Sequence, residues 1–159
     1  METKKTNLSF ESEIKLIAKI IHDQSMSVDL RTFVVNMFAM GEHINGQSRV
    51  AQKIFDTIRQ RVRYVRDIDN VEVLQYPLNT LALGYGDCDD FVILLGACFK
   101  CVGFPVAIVT IDTDQDGIYN HIFLSVETNE GIMYADATNS VQPFGWSYDK
   151  YTIRNVLIV

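Results

Sequence analysis

The sequence lacks any apolar run close to the ~20 residues that a membrane-spanning helix needs. Its polar start, Met1 to Asn7, is followed by no apolar stretch long enough for a secretory signal. These two absences predict a cytoplasmic protein that does not contact a membrane. In a reducing compartment the three cysteines are expected to be free thiols.

Basic residues are also scarce. Lys and Arg number 14 against 20 Asp and Glu, which gives a net charge of −6. Phosphate binding needs a basic surface, so this balance argues against nucleic acid as a partner. The local exception, the arginine-rich stretch from Arg59 to Arg66, is interpreted as the solvated face of a helix.

Internal repeats and low-complexity linkers are absent too. The 159 residues, of which 48% are hydrophobic, are enough to bury one real core. We therefore predict a single domain over residues 1–159, in which the polar residues 1–8 are frayed. The sequence does not determine an oligomeric state.

Apolar residues at helical spacing predict three N-terminal helices. They span about Phe10–His22, Val28–Ile44 and Ser48–Tyr64. The pair Asn45-Gly46, which tolerates a left-handed backbone, is expected to end the second helix. His22 and His43 lie near helix ends and are assigned surface or capping roles.

The second half of the chain has a different pattern. Residues 65–86 show no helical period, and residues 71–77 are predicted to be extended because a proline ends that stretch. Three or four antiparallel strands are predicted after residue 105, at Val106–Ile111, Tyr119–Glu127, Ile132–Ala137 and Thr152–Val159. Helices followed by strands predict an α+β domain.

One short stretch combines a tight turn, a cysteine and the start of a helix. Gly84 and Gly86 suit a sharply turning loop, because glycine adopts positive φ without steric cost. Asp87 is a favourable N-cap, and the apolar run after it predicts a helix that ends near Val102 and packs on the sheet. Cys88 is thereby expected at a helix N-terminus, where backbone N–H groups favour a thiolate. This placement makes Cys88 the first candidate nucleophile.

The register of two strands decides whether His121 can meet Asp136, because a slip of one residue swaps the faces. Pairing Val126 with Met133 sets apolar residues opposite apolar ones. It also puts Asp136 diagonal to His121 on the same face, about 7–8 Å apart between backbone positions. A three-residue loop with a bulge at Gly131 would instead place Asp136 among apolar side chains. The first register buries more apolar surface and is the one we predict.

Together, Cys88, His121 and Asp136 would supply a nucleophile, a base and an orienting carboxylate. The histidine would take the thiol proton and later protonate the leaving group, and the aspartate would fix its tautomer. The same residue types could equally be a buried cysteine, a strand histidine and a turn aspartate without mutual contact. Spacing alone leaves both interpretations open.

Three motifs follow one another in this part of the chain. They are Gly86-Asp87-Cys88-Asp89-Asp90 with Gly103-Phe104-Pro105, then Asn120-His121-Ile122, then Tyr134-Ala135-Asp136-Ala137-Thr138. In this order they resemble the transglutaminase-like superfamily, whose members are cysteine enzymes with a papain-like core. The resemblance covers about Val50 to Thr138. Upstream, Leu74 to Leu81 looks like the bacterial and prophage branch of transglutaminase-like cysteine peptidases.

The resemblance implies acyl transfer from an amide of a peptide or protein substrate through a thioester on Cys88. Water as the acceptor would make a peptidase or amidase, and an amine would make a transglutaminase. The oxyanion would be held by the Cys88 backbone N–H and by a side-chain donor from the preceding segment. That second role is assigned to Gln75, with Tyr76 as the other candidate. Larger family members use a tryptophan for it, whereas the sole Trp146 follows the three candidate catalytic residues.

Asp87, Asp89 and Asp90 flank the candidate nucleophile, and nearby negative charge raises the pKa of a thiol. The helix dipole and an imidazolium at His121 would act in the opposite direction. A close imidazolium would outweigh carboxylates that face solvent, whereas carboxylates turned inward would cost the thiolate. The sequence leaves both orientations open.

Cys98 and Cys101 form a CxxC motif at the end of the cysteine helix. A redox pair needs its first cysteine at a helix N-terminus, and zinc would need a second pair of ligands. Core packing is therefore predicted, and a redox role is the alternative.

Asp112, Asp114 and Asp116 match the opening of a calcium-binding loop, but its twelfth position is Phe123 instead of a bidentate glutamate. A hairpin connection is predicted here, and a weak calcium site is the alternative. No cofactor and no resident metal are predicted.

These observations predict an α+β domain with a papain-like or transglutaminase-like core. In it, N-terminal helices and the cysteine helix pack on an antiparallel sheet. The predicted function is thiol-dependent acyl transfer through Cys88, His121 and Asp136. The alternative is a non-catalytic binding or assembly module that retains this fold.

Overall fold

The computed structural model describes residues 3–5, 9–38, 44–68, 73–148 and 154–159, without the side chains of residues 3–5 and 154. His43 lies outside the described residues, as do parts of the predicted extended segment and of the last predicted strand. The helices are α1 (Phe10–Ser25), α2 (Val28–Asn36), α3 (Gln47–Arg61), α4 (Pro77–Leu83) and α5 (Cys88–Cys101). The strands are β1 (Thr3–Lys5), β2 (Arg63–Tyr64), β3 (Val73–Gln75), β4 (Tyr85–Gly86), β5 (Val106–Ile111), β6 (His121–Thr128), β7 (Gly131–Ala135) and β8 (Arg154–Ile158).

A four-stranded antiparallel sheet with strand order β7-β6-β5-β8 forms one layer of the domain. Helix α5 packs against β5 and β6, and it also contacts each of the other four helices. This mixture of helices and an antiparallel sheet confirms the predicted α+β class. The hairpin connection predicted between β5 and β6 is present as well.

Helix α5 is central, because its residues from Phe91 to Phe99 are apolar on every side. All residues from Asp89 to Phe99 are buried, which is the pattern of a helix surrounded by protein. Gly96 permits a close approach of α1, since a Cβ atom there would lie 2.9 Å from Cδ1 of Ile21. Burying each large side chain of this helix, such as Phe91 or Leu94, contributes about 1.5–3 kcal/mol.

The predicted second helix is too long. Helix α2 ends at Asn36, and the N–H groups of Met37 and Phe38 bond to the carbonyls three residues back. Both side chains still pack on the core. The apolar pattern therefore continues past the end of the helix, which is why the prediction extended it. Gly46, expected to end that helix, instead precedes α3 at its N-cap with φ of 100°.

The segment without helical period contains α4, which the prediction missed. Pro77 occupies its first turn, and Gly84 ends it in the left-handed conformation with φ of 72°. Seven residues make fewer than two turns, too few for a period to show. Just before it, β3 confirms part of the predicted extended stretch and pairs antiparallel with Thr3–Lys5, a part of the segment predicted to be frayed.

No helix within the described ranges has both the length and the apolar character needed to cross a bilayer.

Candidate active site

The start of α5 is fixed by a reciprocal pair of carboxylates. Asp87 is the N-cap, and its side chain accepts the N–H groups of Asp89 at 3.1 Å and Asp90 at 3.2 Å. The Asp90 side chain in turn accepts the N–H of Asp87 at 3.3 Å, which completes a capping box. Cys88 is therefore the first residue of the helix, as predicted, and its side chain is half-buried.

The glycine that precedes the cap is required for a different reason from the one predicted. Gly86 does not have a positive φ, unlike Gly84. A Cβ atom on Gly86 would lie 2.7 Å from Cβ of Asp90 and 2.9 Å from its Oδ2. The backbone of the turn thus passes directly over the Asp90 side chain, and only glycine leaves room for it.

The register of β6 and β7 brings the histidine and the aspartate together. Val126 pairs with Met133 and Leu124 with Ala135, which confirms the predicted register and excludes the bulged alternative. His121 Nε2 lies 2.7 Å from Asp136 Oδ2, so the contact predicted between these side chains is present. His121 is the first residue of β6, and Asp136 directly follows β7.

Asp136 is held by three further donors. Its Oδ1 accepts the backbone N–H of Thr138 at 3.1 Å and the Thr138 hydroxyl at 2.6 Å, and its Oδ2 accepts the Tyr148 hydroxyl at 3.2 Å. Burial disfavours ionisation of this carboxyl, but the bonds from His121 and Thr138 outweigh it and lower the pKa of Asp136. The carboxylate is therefore ionised and fixed beside the imidazole.

Aromatic rings enclose the imidazole. The His121 ring stacks on Phe123 with centroids 5.9 Å apart and meets Tyr148 edge-on at 5.5 Å. Trp146 contacts Tyr148 at 4.7 Å, so it belongs to this cluster. Sequence reasoning missed Tyr148, which lies beyond the last predicted hairpin in a segment without periodicity. Thr138 could have been found, because an Asp-x-Thr sequence often forms a local side-chain-to-backbone turn.

Cys88 and His121 line the same cavity, which has a volume of about 220 Å³. Apolar side chains of α1 form one wall, where Phe10 stacks on Tyr119 with centroids 5.0 Å apart. Two carboxylates, those of Glu13 and Asp89, also reach the cavity. The arrangement offers a thiol and an imidazole to a ligand in a half-apolar, acidic surrounding.

The three carboxylates that flank the thiol are buried. Exposed fractions are 6% for Asp87, 9% for Asp89 and 0% for Asp90. Asp87 and Asp90 are turned into the capping box, whereas Asp89 Oδ1 lies 3.8 Å from the Cys88 sulfur. Of the two orientations that the sequence left open, the inward one is observed.

Gln75, assigned to the oxyanion hole, binds Asp90 in this structure. Its backbone N–H and its side-chain Nε2 donate to Asp90 Oδ1 at 2.7 Å and Oδ2 at 2.9 Å. Gln75 is not among the residues that line the cavity shared by Cys88 and His121. Tyr76, the other candidate, is half-buried at the N-cap of α4. The structure thus groups Cys88 with His121 and Asp136, and Gln75 with Asp90.

Cys98 and Cys101 lie in the core, as predicted, and both are free thiols. Burial raises the pKa of each, and for Cys98 the increase is large. Neither residue lines the cavity beside Cys88.

In the loop between β5 and β6, Asp112 accepts the backbone N–H groups of residues 114–117, so its carboxylate is used to shape the turn. Across the described part of the chain, no group of three or more His, Cys, Asp or Glu side chains is arranged to hold a metal ion. Asp114 and Asp116 also accept hydrogen bonds within this loop, from Asn120 Nδ2 at 3.0 Å and from the Ile118 N–H at 2.9 Å.

Comparisons with known proteins identify the family and the fold. The family profile described as the transglutaminase-like superfamily matches residues 39–147, a range that contains Cys88, His121 and Asp136. No curated protein sequence matches the chain significantly.

Solved structures share the fold at low identity. Calcium-bound LapG of Legionella pneumophila is 19% identical with a TM-score of 0.57, over 91% of this chain and 87% of that one. A protein of Cytophaga hutchinsonii, described provisionally as a cysteine protease, is 16% identical with a TM-score of 0.55, over 96% of this chain and 54% of that one. This chain therefore spans about half the length of the Cytophaga protein. A structure described as a TGase is 16% identical with a TM-score of 0.50, over 91% of this chain and 36% of that one.

Proposed function

The chain belongs to the transglutaminase-like superfamily, and on that premise we propose that it is a cysteine enzyme that transfers the acyl group of an amide. Cys88 is the nucleophile, His121 the general base and acid, and Asp136 the residue that orients the imidazole. The substrate is a peptide or protein. Its acyl acceptor is water in a peptidase or amidase, or an amine in a transglutaminase.

One observation carries this proposal: the imidazole bonded to Asp136 at 2.7 Å lines the same cavity as the Cys88 thiol. Because Nε2 is engaged by Asp136, Nδ1 is the ring nitrogen left to exchange a proton with the sulfur. The pKa of Asp136 is lowered, so this residue keeps its negative charge while the imidazole becomes an imidazolium.

The reaction proceeds in two steps. The Cys88 sulfur, having given its proton to His121, attacks the amide carbon and forms a tetrahedral oxyanion. The C–N bond then breaks, the amine leaves with the proton from His121, and a thioester remains on Cys88. Water or a second amine loses a proton to His121, attacks the thioester carbon and releases the thiol.

The oxyanion needs donors in a fixed position. The backbone N–H of Cys88, at the N-terminus of α5, supplies one of them in this proposal. We keep Gln75 and Tyr76 as candidates for the second donor. Gln75 would have to offer its second amide hydrogen, because the first bonds to Asp90.

The test is selective labelling of the thiols, followed by capture of the acyl-enzyme. We expect a neutral thiol-directed electrophile such as iodoacetamide to modify Cys88 in the native protein. Labelling should disappear in Cys88→Ala and persist in the matched variants Cys98→Ala and Cys101→Ala. Intact mass spectrometry after incubation with a peptide library should then find a thioester on Cys88. Equal labelling of all three thiols would contradict activation of Cys88.

A specific contact favours the second candidate, a non-catalytic binding module. The Asp89 carboxylate, 3.8 Å from the sulfur and 9% exposed, disfavours a neighbouring thiolate. The imidazolium at His121 must outweigh it for catalysis. If Asp89 prevails, Cys88 will react no faster than an unperturbed thiol, and replacing Asp89 with Asn should accelerate its alkylation.

A further inference from the structure

Beneath the Cys88 turn lies a carboxylate with no exposed surface. Asp90 is 0% exposed and accepts three N–H donors. Two of them come from Gln75 in β3, and the third is the backbone N–H of Asp87 in the turn. This single side chain therefore joins two segments that are 12 or more residues apart in the sequence.

We propose that Asp90 is a positioning residue, whose ionised side chain holds the Cys88 turn against β3. The proposal rests on the proposed function, since it concerns the placement of the same nucleophile. Asp90 does not touch the substrate. It acts through the Asp87 backbone on Cys88, and through Gln75 on the segment that carries the candidate oxyanion donors.

The packing around the turn leaves little freedom for any other arrangement. The Gly86 backbone lies so close to Asp90 that a Cβ atom there would meet Asp90 Cβ at 2.7 Å. If the bond between Asp90 and the Asp87 N–H is lost, the turn that carries Cys88 can move, because Asp90 packs directly against the backbone of that turn. Small displacements matter here, because a nucleophile misplaced by about 1 Å can lose about 100-fold in rate.

Protonation of Asp90 would change its hydrogen bonds to Gln75 and Asp87. A carboxylic acid has one acceptor oxygen fewer and gains a donor, so it no longer suits three N–H groups. Gln75 Oε1 is a buried atom without a hydrogen-bond partner in this structure. If the Gln75 amide turns over, this oxygen can accept the proton of Asp90, and Nε2 is released from it. The unpartnered oxygen thus provides the protonated form with a partner.

The charges around Asp90 favour a change at an accessible pH. Burial raises the pKa of Asp90 from 3.8 to about 6, although the bonds from Gln75 and Asp87 oppose this. Asp67, in the segment after β2, adds a repulsive negative charge, and Asp87 is the acidic group of the same cap. The side chain that faces Asp90 from β3 is the neutral Gln75.

The raised pKa of Asp90 makes the stability of the folded chain depend on pH. Because the folded pKa lies above the unfolded value of 3.8, the folded chain binds more protons than the unfolded one between about pH 4 and pH 6. This contribution to stability is complete below about pH 4 and is lost as the pH rises through about 6. Ionised Asp90 thus lowers stability at neutral pH, where the proposed function needs it.

The experiment measures the rate of Cys88 alkylation by iodoacetamide from pH 4.5 to 8.5 in the full chain. In the wild type we expect a component of the rate with a midpoint near pH 6. Asp90→Asn should lack this component and react about 10-fold to 100-fold more slowly at pH 7.5. Only the difference between wild type and variant is assigned to Asp90.

Asp112→Asn is the matched control. Asp112 is another buried carboxylate, 2% exposed, that accepts backbone N–H groups, but it shapes the loop between β5 and β6. We expect this variant to keep the wild-type profile near pH 6. The same loss in Asp112→Asn would mean that any buried carboxylate has this effect, and would overturn the specific role of Asp90.

A second measurement applies if Asp90→Asn does not fold. In the wild type, the amide N–H signals of Gln75 and Asp87 in NMR spectra should shift together, with one midpoint near pH 6. Absence of a common titration would overturn the proposal, as would an unchanged alkylation profile in a folded Asp90→Asn. A wild-type Cys88 no more reactive than a free cysteine, and indifferent to His121→Ala, would instead overturn the proposed function, and the positioning role with it.

Discussion

The two ends of α5 both carry cysteine, in opposite surroundings. Cys88 at the N-terminal end is half-buried beside a cavity that also contains an imidazole and two carboxylates. Cys98 and Cys101 at the other end are 0% and 6% exposed among apolar side chains. Burial raises the pKa of both of these thiols, which keeps them protonated and inert. The position along the helix, rather than the residue type, thus distinguishes the candidate nucleophile from the two core cysteines.

The difference between the ends has a structural cause. The first N–H groups of a helix have no partner within it, so the start of α5 draws in acceptors such as Asp87 and Asp90. The second half of α5 lies between other helices and the sheet, where a polar group would lack a partner. The helix therefore places its polar chemistry at one end and its packing at the other.

The largest effect should come from removing the imidazole that lines the cavity together with Cys88. We expect His121→Ala to lower kcat about 10²-fold to 10⁴-fold, because the proposed mechanism would then lack the proton acceptor of the thiol and the proton donor of the leaving group. Amide hydrolysis or amine transfer with a captured peptide substrate is the measurement. His22→Ala, at an exposed histidine in the last turn of α1, is the control and should retain full activity.

If His121→Ala retained most of the activity, the proposed role of His121 at the N-terminal end of α5 would be contradicted. The reactivity of Cys88 would then derive from the helix start alone. Equal losses in His121→Ala and His22→Ala would indicate a general effect on folding instead.

A smaller effect is expected on stability, where substitution at the C-terminal end of α5 should cost more than substitution at the N-terminal end. Cys98→Ser introduces a hydroxyl group into a fully buried apolar position, and we expect it to lower the free energy of unfolding by about 1–3 kcal/mol. Cys88→Ser, at the half-buried end, should lower it by less than about 1 kcal/mol. Urea denaturation of both variants is the measurement. Equal losses would show that the N-terminal thiol is also a core residue.

Local signals in the sequence were enough to locate most of the candidate site. Asp87 and the apolar run behind it specified the start of α5, since capping depends on neighbouring residues only. The register that joins His121 to Asp136 followed from apolar pairing, because a slip would have exposed one whole face of the strand.

Features that depend on distant contacts could not be predicted in this way. Asp89 lines a cavity that α1 and β6 also form, and the bond from Gln75 to Asp90 requires β3 to lie beside α5. Helix α4 was missed because its signals are a proline and a glycine at its ends instead of a period. Sequence thus predicted the cysteine helix, its N-cap and the register of β6 and β7, and the tertiary contacts decided how the carboxylates are used.

The smallest effect is expected from the Tyr148 hydroxyl, which bonds to Asp136 at 3.2 Å. Burial and the neighbouring Asp136 raise the pKa of Tyr148, so the hydroxyl remains a donor throughout the working pH range. Tyr148→Phe removes one of the donors to Asp136, and we expect a loss of about 3-fold to 10-fold in kcat, equivalent to about 0.5–1.5 kcal/mol. The pKa of Asp136 should rise, so the acid limb of the kcat/KM profile should move to higher pH.

Tyr134→Phe removes a hydroxyl from the same aromatic cluster and is the matched control. A shift of the acid limb in Tyr134→Phe but not in Tyr148→Phe would contradict the role assigned to Tyr148. If neither variant shifts the acid limb, the bonds from Thr138 and His121 are enough to hold Asp136.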